Sequence, residues 1–324
     1  MTAKQTEGKK VLPVNRDVNA LHTSPVWRGI TRNIGLYIFL IPALIYLFIF
    51  MYGPMYGVLI AFKNYNMAKG VWGSPWVGMY NFQRFFKGYN FWSTLWNTIS
   101  LSLYFLLATL PLPVILGLML NNIKNGMFKK TVQMITYAPN FISLVIIVGM
   151  LKIFMAPNTG LVNVVLAMFG GTGNYDVFGS PDAFRHLYVW SGVWQTLGWN
   201  SIIYVAALAG VSPDLYEAAT IDGANRMQRI WYLEIPSILP TITMMLILNV
   251  GSIMNIGFEK VYLMQTPLNL KVAETIPTYV YKMGVINGDY GLATAIGLFN
   301  SVVSCVLMLI VNFTCKKLND TSLF

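Results

Sequence analysis

The segment between residues 212 and 240 combines charged and small residues in a pattern that points to function. Its charged side chains include Glu217, Asp222, Arg226 and Arg229. The positions beside them are filled by small residues, namely Ala218, Ala219, Gly223 and Ala224. A compact helical surface made of small residues fits into a groove on a partner protein. The pattern therefore predicts docking against another protein, and not catalysis.

The same segment contains start and stop signals for two short helices. Ser212 precedes Pro213, and an acidic residue follows in the first turn, which is a typical helix start. We expect this helix to continue through Thr220 and to end near Gly223, since glycine permits a helix end or a close backbone approach. A second short helix is predicted over residues 224–233, and Pro236 should open the next apolar stretch.

Polar residues placed inside apolar stretches form a second candidate site. Asn249, Ser252 and Asn255 are three residues apart, which puts them near one helix face, and Glu259 continues that stripe by one turn. Such residues are costly in a bilayer and face the protein interior or a water-filled path. The substrate-path candidates are Trp194, Gln195, Asn200, Asn249, Ser252, Asn255, Glu259 and Asn300. Interhelical hydrogen bonding, or interface anchoring for the tryptophan, is the alternative interpretation.

Composition places these residues in a membrane protein. The 324 residues are 56% hydrophobic and 10% charged, with a mean hydropathy of +0.56. Soluble domains carry about a quarter charged residues, so lipid is indicated as the solvent. The net charge of +10 does not indicate nucleic-acid binding, because the charges flank apolar stretches and do not form one basic face.

A transmembrane helix needs about 20 mostly apolar residues. Six stretches satisfy this requirement, so we expect an all-α integral membrane protein with six transmembrane helices. The predicted spans are 34–52, with a possible extension to 62, then 93–120, 131–151, 187–211, 235–258 and 291–315. The predicted organisation is a tail over 1–33, a transmembrane domain over 34–316 that contains the helices at about 212–235, and a tail over 317–324.

Basic residues near the span ends predict the orientation, since cytoplasmic loops are enriched in Lys and Arg. Three segments on one side of the six-span topology are basic: the N-terminal tail, the loop that holds Lys124, Lys129 and Lys130, and the C-terminal end with Lys316 and Lys317. Both termini and the 212–235 segment are therefore predicted to be cytoplasmic. The first external loop is an exception, since it is also basic.

No catalytic or nucleotide-binding signature is recognisable. The chain has no Gly-x4-Gly-Lys-Ser/Thr loop that could hold phosphates. It has only two histidines, its two cysteines have no metal-ligand spacing, and no mid-span carboxylate is placed to couple protons. We therefore expect no enzymatic activity, no metal and no cofactor bound by this chain.

The 212–240 segment resembles the signature of a known family. Its Glu-Ala-Ala at 217–219, Asp-Gly-Ala at 222–224 and Ile-Pro at 235–236 resemble the EAA motif of binding-protein-dependent ABC importer permeases. Ile230 and Ile235 replace the usual Phe and Leu conservatively, whereas Glu234 stands where a small polar residue is more usual. Residues 76–82, Trp-Val-Gly-Met-Tyr-Asn-Phe, resemble a motif that precedes the second span in sugar-type permeases of this family.

The resemblance implies a six-span type I importer permease in a bacterial inner membrane. It implies a second permease subunit, more often a different chain, two ATPase subunits that use ATP and Mg, and an external solute-binding protein. It also implies that Glu217, Ala218, Ala219, Asp222, Gly223, Ala224 and Arg226 contact the ATPase subunits.

Basic residues in the predicted external loops bear on the cargo. They are Lys63, Lys69, Arg84, Lys87, Lys260, Lys271 and Lys282. They favour an anionic oligosaccharide such as an alginate fragment, although contact with an acidic binding-protein surface would explain them equally. A permease for a neutral sugar and an ion-coupled secondary transporter are the alternative functions, and broken helices in corresponding halves would favour the latter.

Overall fold

The chain is almost entirely helical in the computed structural model, which describes residues 33–123, 126–171 and 174–319. Its first eight helices are α1 Ile34–Tyr46, α2 Gly70–Gly73, α3 Tyr80–Phe86, α4 Phe91–Thr109, α5 Pro111–Asn122, α6 Met127–Tyr137, α7 Leu144–Phe154 and α8 Leu161–Met168. The other eight are α9 Pro181–Ala209, α10 Pro213–Ile221, α11 Arg226–Arg229, α12 Ile235–Gly251, α13 Phe258–Met264, α14 Leu270–Ala273, α15 Ile276–Tyr281 and α16 Tyr290–Asn319. Most of the two predicted tails, together with Lys124, lies outside the described residues.

The chain divides into two compact units, Met1–Gly57 and Val58–Phe324. In the first unit, α1 continues through a π-helical turn at Leu47–Tyr52. The second unit contains all the helices from α2 onward. Within the described residues its only extended pairing is an isolated bridge between Lys63 and Trp76.

The helices confirm an all-α membrane protein. Among the described residues, four helical stretches are long and apolar enough to cross a bilayer by themselves, and two bent helix pairs bring the number to six when each pair is counted as one span. The four are Ile34–Phe62, Phe91–Asn121, Arg226–Gly251 and Tyr290–Lys317, and the bent pairs are Met127–Phe141 with Leu144–Phe154 and Pro181–Ala209 with Pro213–Ile221.

The third predicted span is not one continuous helix. Its two halves meet at 97°. A 3-10 turn at Ala138–Phe141 carries Pro139, which cannot donate a helical hydrogen bond. The side-chain amide of Gln195 on α9 donates to the carbonyl of Ile142, which lies between the two halves, at 3.3 Å. The bend is therefore stabilised by a contact from a neighbouring helix, which hydropathy alone does not reveal.

The fifth predicted span also differs from the structure at both ends. The second short helix predicted over 224–233 is present from Arg226 onward, but it is not separate from the fifth span, because α11 runs through a π-helical turn at Ile230–Glu234 directly into α12. Pro236 follows this turn and has no backbone N–H, and a local π turn is one way in which a helix adapts to such a loss. The helix then ends at Gly251, and a 3-10 turn at Ile253–Asn255 precedes α13.

Helix α9 lies at the centre of the core. Near its beginning Phe184, Tyr188 and Val189 pack with Leu101 of α4 and Val261 of α13. Near its end a second cluster joins it to α5 and α12, formed by Val114, Leu118, Tyr204, Leu208 and Ile238. Helix α9, which leads into α10, is thus packed against α5 and against α12, the helix that follows the 212–235 segment.

Candidate functional site

Helix α10 begins and ends as the sequence predicts. The hydroxyl of Ser212 accepts a hydrogen bond from the backbone N–H of Asp214 at 3.3 Å, and Pro213 occupies the first turn. At the other end the N–H groups of Gly223 and Ala224 donate to the carbonyls of Thr220 and Ala219. This pair of hydrogen bonds is the Schellman motif, which places the residue after the cap in the left-handed region. Gly223 has a φ of 74° there.

Helix α11 is capped reciprocally. Asn225 accepts from the N–H of Gln228 at 2.9 Å, and the Gln228 side chain accepts from the N–H of Asn225 at 2.8 Å. Each bond satisfies a donor that the first helical turn leaves free. The short connection between α10 and α11 is therefore well defined, although nothing buries it.

A groove of about 440 Å³ lies between α10 and the start of the following helix. It is lined by Leu215, Ala218, Ala219, Asp222, Gly223, Ala224, Gln228, Arg229, Tyr232 and Leu233. Five of the seven predicted ATPase-contacting residues are in that set. Glu217 is exposed on α10, and the Arg226 guanidinium donates to the carbonyl of Asn122.

No residue of α10 is buried within the chain. Ile221 at its end is 86% exposed, and Leu215 and Tyr232 beside it are exposed as well. Apolar side chains that a helix exposes as a group mark an interaction surface. The groove and its rim therefore form an exposed, preformed surface suited to docking, which we call the α10–α11 surface.

A cluster of polar side chains that was not predicted from the sequence contacts this surface through Tyr216 of α10. Glu234 is 1% exposed and accepts hydrogen bonds from the side-chain amides of Asn121 and Asn122. Asn121 also donates to the hydroxyl of Tyr216 on α10. Two features of the sequence could have indicated this cluster. Glu234 is a charged residue within an apolar run, and a pair of asparagines follows the second predicted span.

The second candidate site is a cavity of about 280 Å³ between α4, α9 and the end of α12. Asn249, Ser252 and Asn255 all line it, as the predicted stripe requires. Asn300 of α16 donates to the side-chain oxygen of Asn255 at 2.7 Å, which brings a fourth predicted residue beside the cavity. Ser102, Thr109 and Tyr188 also line it, and they were not predicted.

The remaining substrate-path candidates are not in this cavity. Glu259 is exposed on α13, beyond the break after Gly251, so it does not continue the stripe of one helix. Trp194 lines a separate apolar cavity of about 200 Å³ with residues of α7. Gln195 donates a hydrogen bond to the Ile142 carbonyl at the bend of the third span, and Asn200 is half-buried on α9.

Several basic residues of the predicted external loops have partners within the chain. Arg84 pairs with Asp289 at 2.9 Å, and Lys282 pairs with Glu274 at 2.7 Å. Lys63 donates to the carbonyl of Val71 at 2.7 Å. The exposed members of the set that lack such a contact in the described structure are Lys69, Lys87 and Lys271.

Lys260 is the most unusual member of the basic set, because it is only 5% exposed. Its ammonium group donates to the carbonyl of Tyr188 at 2.9 Å and lies 4.8 Å from the centre of the Tyr188 ring. Burial lowers the pKa of Lys260 to about 7, because desolvation disfavours the charged form.

Comparison with known proteins gives consistent relatives. Residues 109–319 match the family "binding-protein-dependent transport system inner membrane component". The chain is 42% identical to Protein LplB of Bacillus subtilis (strain 168), over 97% of this chain and 100% of the relative. It is 38% identical to the polygalacturonan/rhamnogalacturonan transport system permease protein YteP of the same organism, over 89% of this chain and 90% of that protein.

Solved structures agree with these sequence relatives. A chain of a bacterial alginate ABC transporter, in complex with an alginate pentasaccharide-bound periplasmic protein, superimposes with a TM-score of 0.85 at 36% identity. The superposition covers 93% of this chain and 100% of that chain. A second structure, of a bacterial ABC transporter involved in the import of the acidic polysaccharide alginate, gives a TM-score of 0.84 at 37% identity.

Proposed function

Since the chain belongs to the family of binding-protein-dependent transport system inner membrane components and is an oligosaccharide permease of the ABC importer class, we propose that its cargo is acidic and that it couples to separate ATPase subunits through the α10–α11 surface. The family consists of transport permeases and not of enzymes. In this proposal the chain supplies half of the path, and its partner subunits hydrolyse ATP.

One observation carries the coupling proposal: α10, capped at both ends, and α11, capped at its start, are exposed although the helices before and after them, α9 and α12, pack in the core. Capping fixes the shape of α10 and α11 without tertiary burial. The small residues Ala218, Ala219 and Gly223 line the adjoining groove, so a partner can approach the backbone closely. A preformed surface of this kind lowers the entropic cost of docking.

The relatives support an acidic cargo. Polygalacturonan and alginate, which their names give, are both polymers that contain uronic acids, so their fragments carry carboxylates. The chain itself offers Lys69, Lys87 and Lys271 as exposed basic residues for the approach of an anion. The other four basic residues have contacts within the chain, so only these three remain as exposed positive charges that could attract an anionic cargo.

The cavity between α4, α9 and α12 is the proposed substrate path. Amide and hydroxyl groups of Asn249, Ser252 and Asn255 line it, and such groups hydrogen-bond sugar hydroxyls without requiring one sugar. The hydroxyl of Ser102 is buried at the cavity wall, and no partner is found for it in the described part of the chain. A passing sugar hydroxyl would satisfy it.

The proposed assembly contains a second permease subunit, two ATPase subunits and an external binding protein in a bacterial cytoplasmic membrane. Six spans form half of a pathway in this family. The contact between the end of α5 and the α10–α12 region fits the predicted topology, in which both regions lie on the cytoplasmic side with both termini. ATP and Mg would be used only by the ATPase subunits.

Transport of defined oligosaccharides tests the cargo. The complete transporter is reconstituted in liposomes with its binding protein and ATP, and accumulation of a uronate tetrasaccharide is compared with that of a neutral tetrasaccharide of equal length. We expect ATP-dependent accumulation of the uronate alone. Equal accumulation of both would establish a neutral-sugar or unselective permease, and accumulation that follows an ion gradient without ATP would overturn the importer class.

A further inference from the structure

Glu234 is the most deeply buried charged residue in the described part of the chain. It lies in the π-helical turn that joins α11 to α12, and 1% of it is exposed. A carboxylate removed from water is unfavourable unless other groups replace the hydration shell. The groups that replace the hydration shell of Glu234 show which parts of the molecule meet at this residue.

The replacement groups come mainly from the end of α5. Asn122 donates from its amide to both oxygens of Glu234, at 3.0 and 2.8 Å. Asn121 donates to one of the same oxygens at 3.1 Å. No ion pair involves Glu234 within the described residues. The carboxylate is therefore stabilised by neutral amides whose positions depend on the packing of two helix ends.

The cluster also includes the docking surface. Asn121 donates to the hydroxyl of Tyr216 at 3.2 Å, and Tyr216 belongs to α10. A second connection runs from α11, where the Arg226 guanidinium donates to the backbone carbonyl of Asn122. The end of α5, helix α10 and the α11–α12 junction thus meet at one buried carboxylate.

We propose that Glu234 is a positioning residue that joins α5, α10 and α12 into one moving body, so that a displacement of the α10–α11 surface is transmitted into two transmembrane helices. Separation of α5 from α12 would leave the carboxylate buried without its amide donors. The cluster therefore resists relative movement of these elements and favours movement as a unit. This inference rests on the proposed function, since it assumes that a partner displaces α10.

A charge-exchange experiment tests this inference, because it separates geometry from mere burial. In Glu234→Gln an NH₂ group replaces one of the two carboxylate oxygens. This group faces the NH₂ group of Asn122, so two donors oppose each other. In Asn122→Asp two carboxylates oppose each other. In the double variant Glu234→Gln/Asn122→Asp the polarity is reversed, and the glutamine amide donates to the aspartate. Asp182→Asn, at the exposed first turn of α9, is the matched control.

The complete transporter is purified for each variant, and the yield of complex, the ATPase rate and the oligosaccharide transported per ATP are measured. We expect each single variant to assemble but to lose about fivefold or more in transport per ATP, and the double variant to recover it. Wild-type coupling in single variants, or no recovery in the double variant, overturns the inference. A loss of complex yield with unchanged transport per ATP also overturns it, since the role would then be structural. Failure of the wild-type complex to couple at all would instead refute the proposed function.

Discussion

Two buried ionisable residues, Glu234 and Lys260, both in the described part of the chain, have different surroundings. Glu234 is surrounded by amide donors from two asparagines, so its charged form is hydrogen-bonded on both oxygens. Lys260 has one carbonyl and one aromatic ring, and burial lowers its pKa to about 7. The carboxylate thus has an environment built for its charge, whereas the ammonium group is held where its charge is disfavoured.

The depressed pKa of Lys260 predicts a pH-dependent stability. The folded chain releases this proton near pH 7, whereas the unfolded chain holds it up to about the ordinary value of 10.5. The penalty for the buried charge is thus fully present below about pH 7 and diminishes as the pH rises towards 10.5. Replacement by Met, which preserves the length, should remove it. The Tyr188 carbonyl retains a hydrogen bond from the Ser191 hydroxyl.

Thermal unfolding of the purified permease in detergent measures this effect. Lys260→Met should unfold at a higher temperature than wild type at pH 7, and the difference should shrink as the pH rises towards 10. Lys271→Met, at an exposed lysine, is the matched control and should change little at either pH. A difference for Lys260→Met that stays constant or widens with pH would contradict the assigned cause.

Among elements, α10 shows how local sequence can define a structure that tertiary packing does not bury. Its start at Ser212 and its end at Gly223 are both set by capping. Gly223 is required for its conformation alone, because no atom of the described residues lies within 4 Å of the position that a Cβ would occupy there.

Substitutions of Gly223 should therefore follow the cost of a positive φ. In the left-handed region a side chain costs about 1–2 kcal/mol, and Asn tolerates it best. We expect transport by the complete complex to fall in the order Gly, Asn, Ala, Val. Gly210→Ala is the matched control, because Gly210 ends α9 with an ordinary φ of −82°. Transport that is insensitive to all three Gly223 variants would show that the shape of the α10 end is irrelevant to function.

The elements also show what a single sequence can and cannot predict. Apolar length located all six membrane segments, and turn chemistry located α10, because both signals are local. The 97° angle near Phe141 and the helix end at Gly251 could not be derived from the sequence, since contacts from other helices decide the geometry. The partners of Glu234 are more than a hundred residues away in sequence, so only the fold could identify them.

At the scale of the whole molecule, the chain is proposed to be one part of a larger transporter. It carries the exposed α10–α11 surface at one place and a polar cavity at another, and the packing of α9 connects both. Helix α9 leads directly into α10 and also contributes Tyr188 to the cavity wall. A partner that moves α10 would therefore act on the helix that borders the proposed path.

Site-specific crosslinking at the α10–α11 surface tests the central claim most directly. A photoreactive residue is placed at Ile221, which is 86% exposed, and for comparison at Phe169, which is 87% exposed after α8 in a predicted external loop. In intact membranes that contain the complete transporter, Ile221 should crosslink to a subunit identified by mass spectrometry as carrying a phosphate-binding loop, and Phe169 should not. Absence of that product at Ile221 in an intact complex, or equal crosslinking at Phe169, would contradict the account.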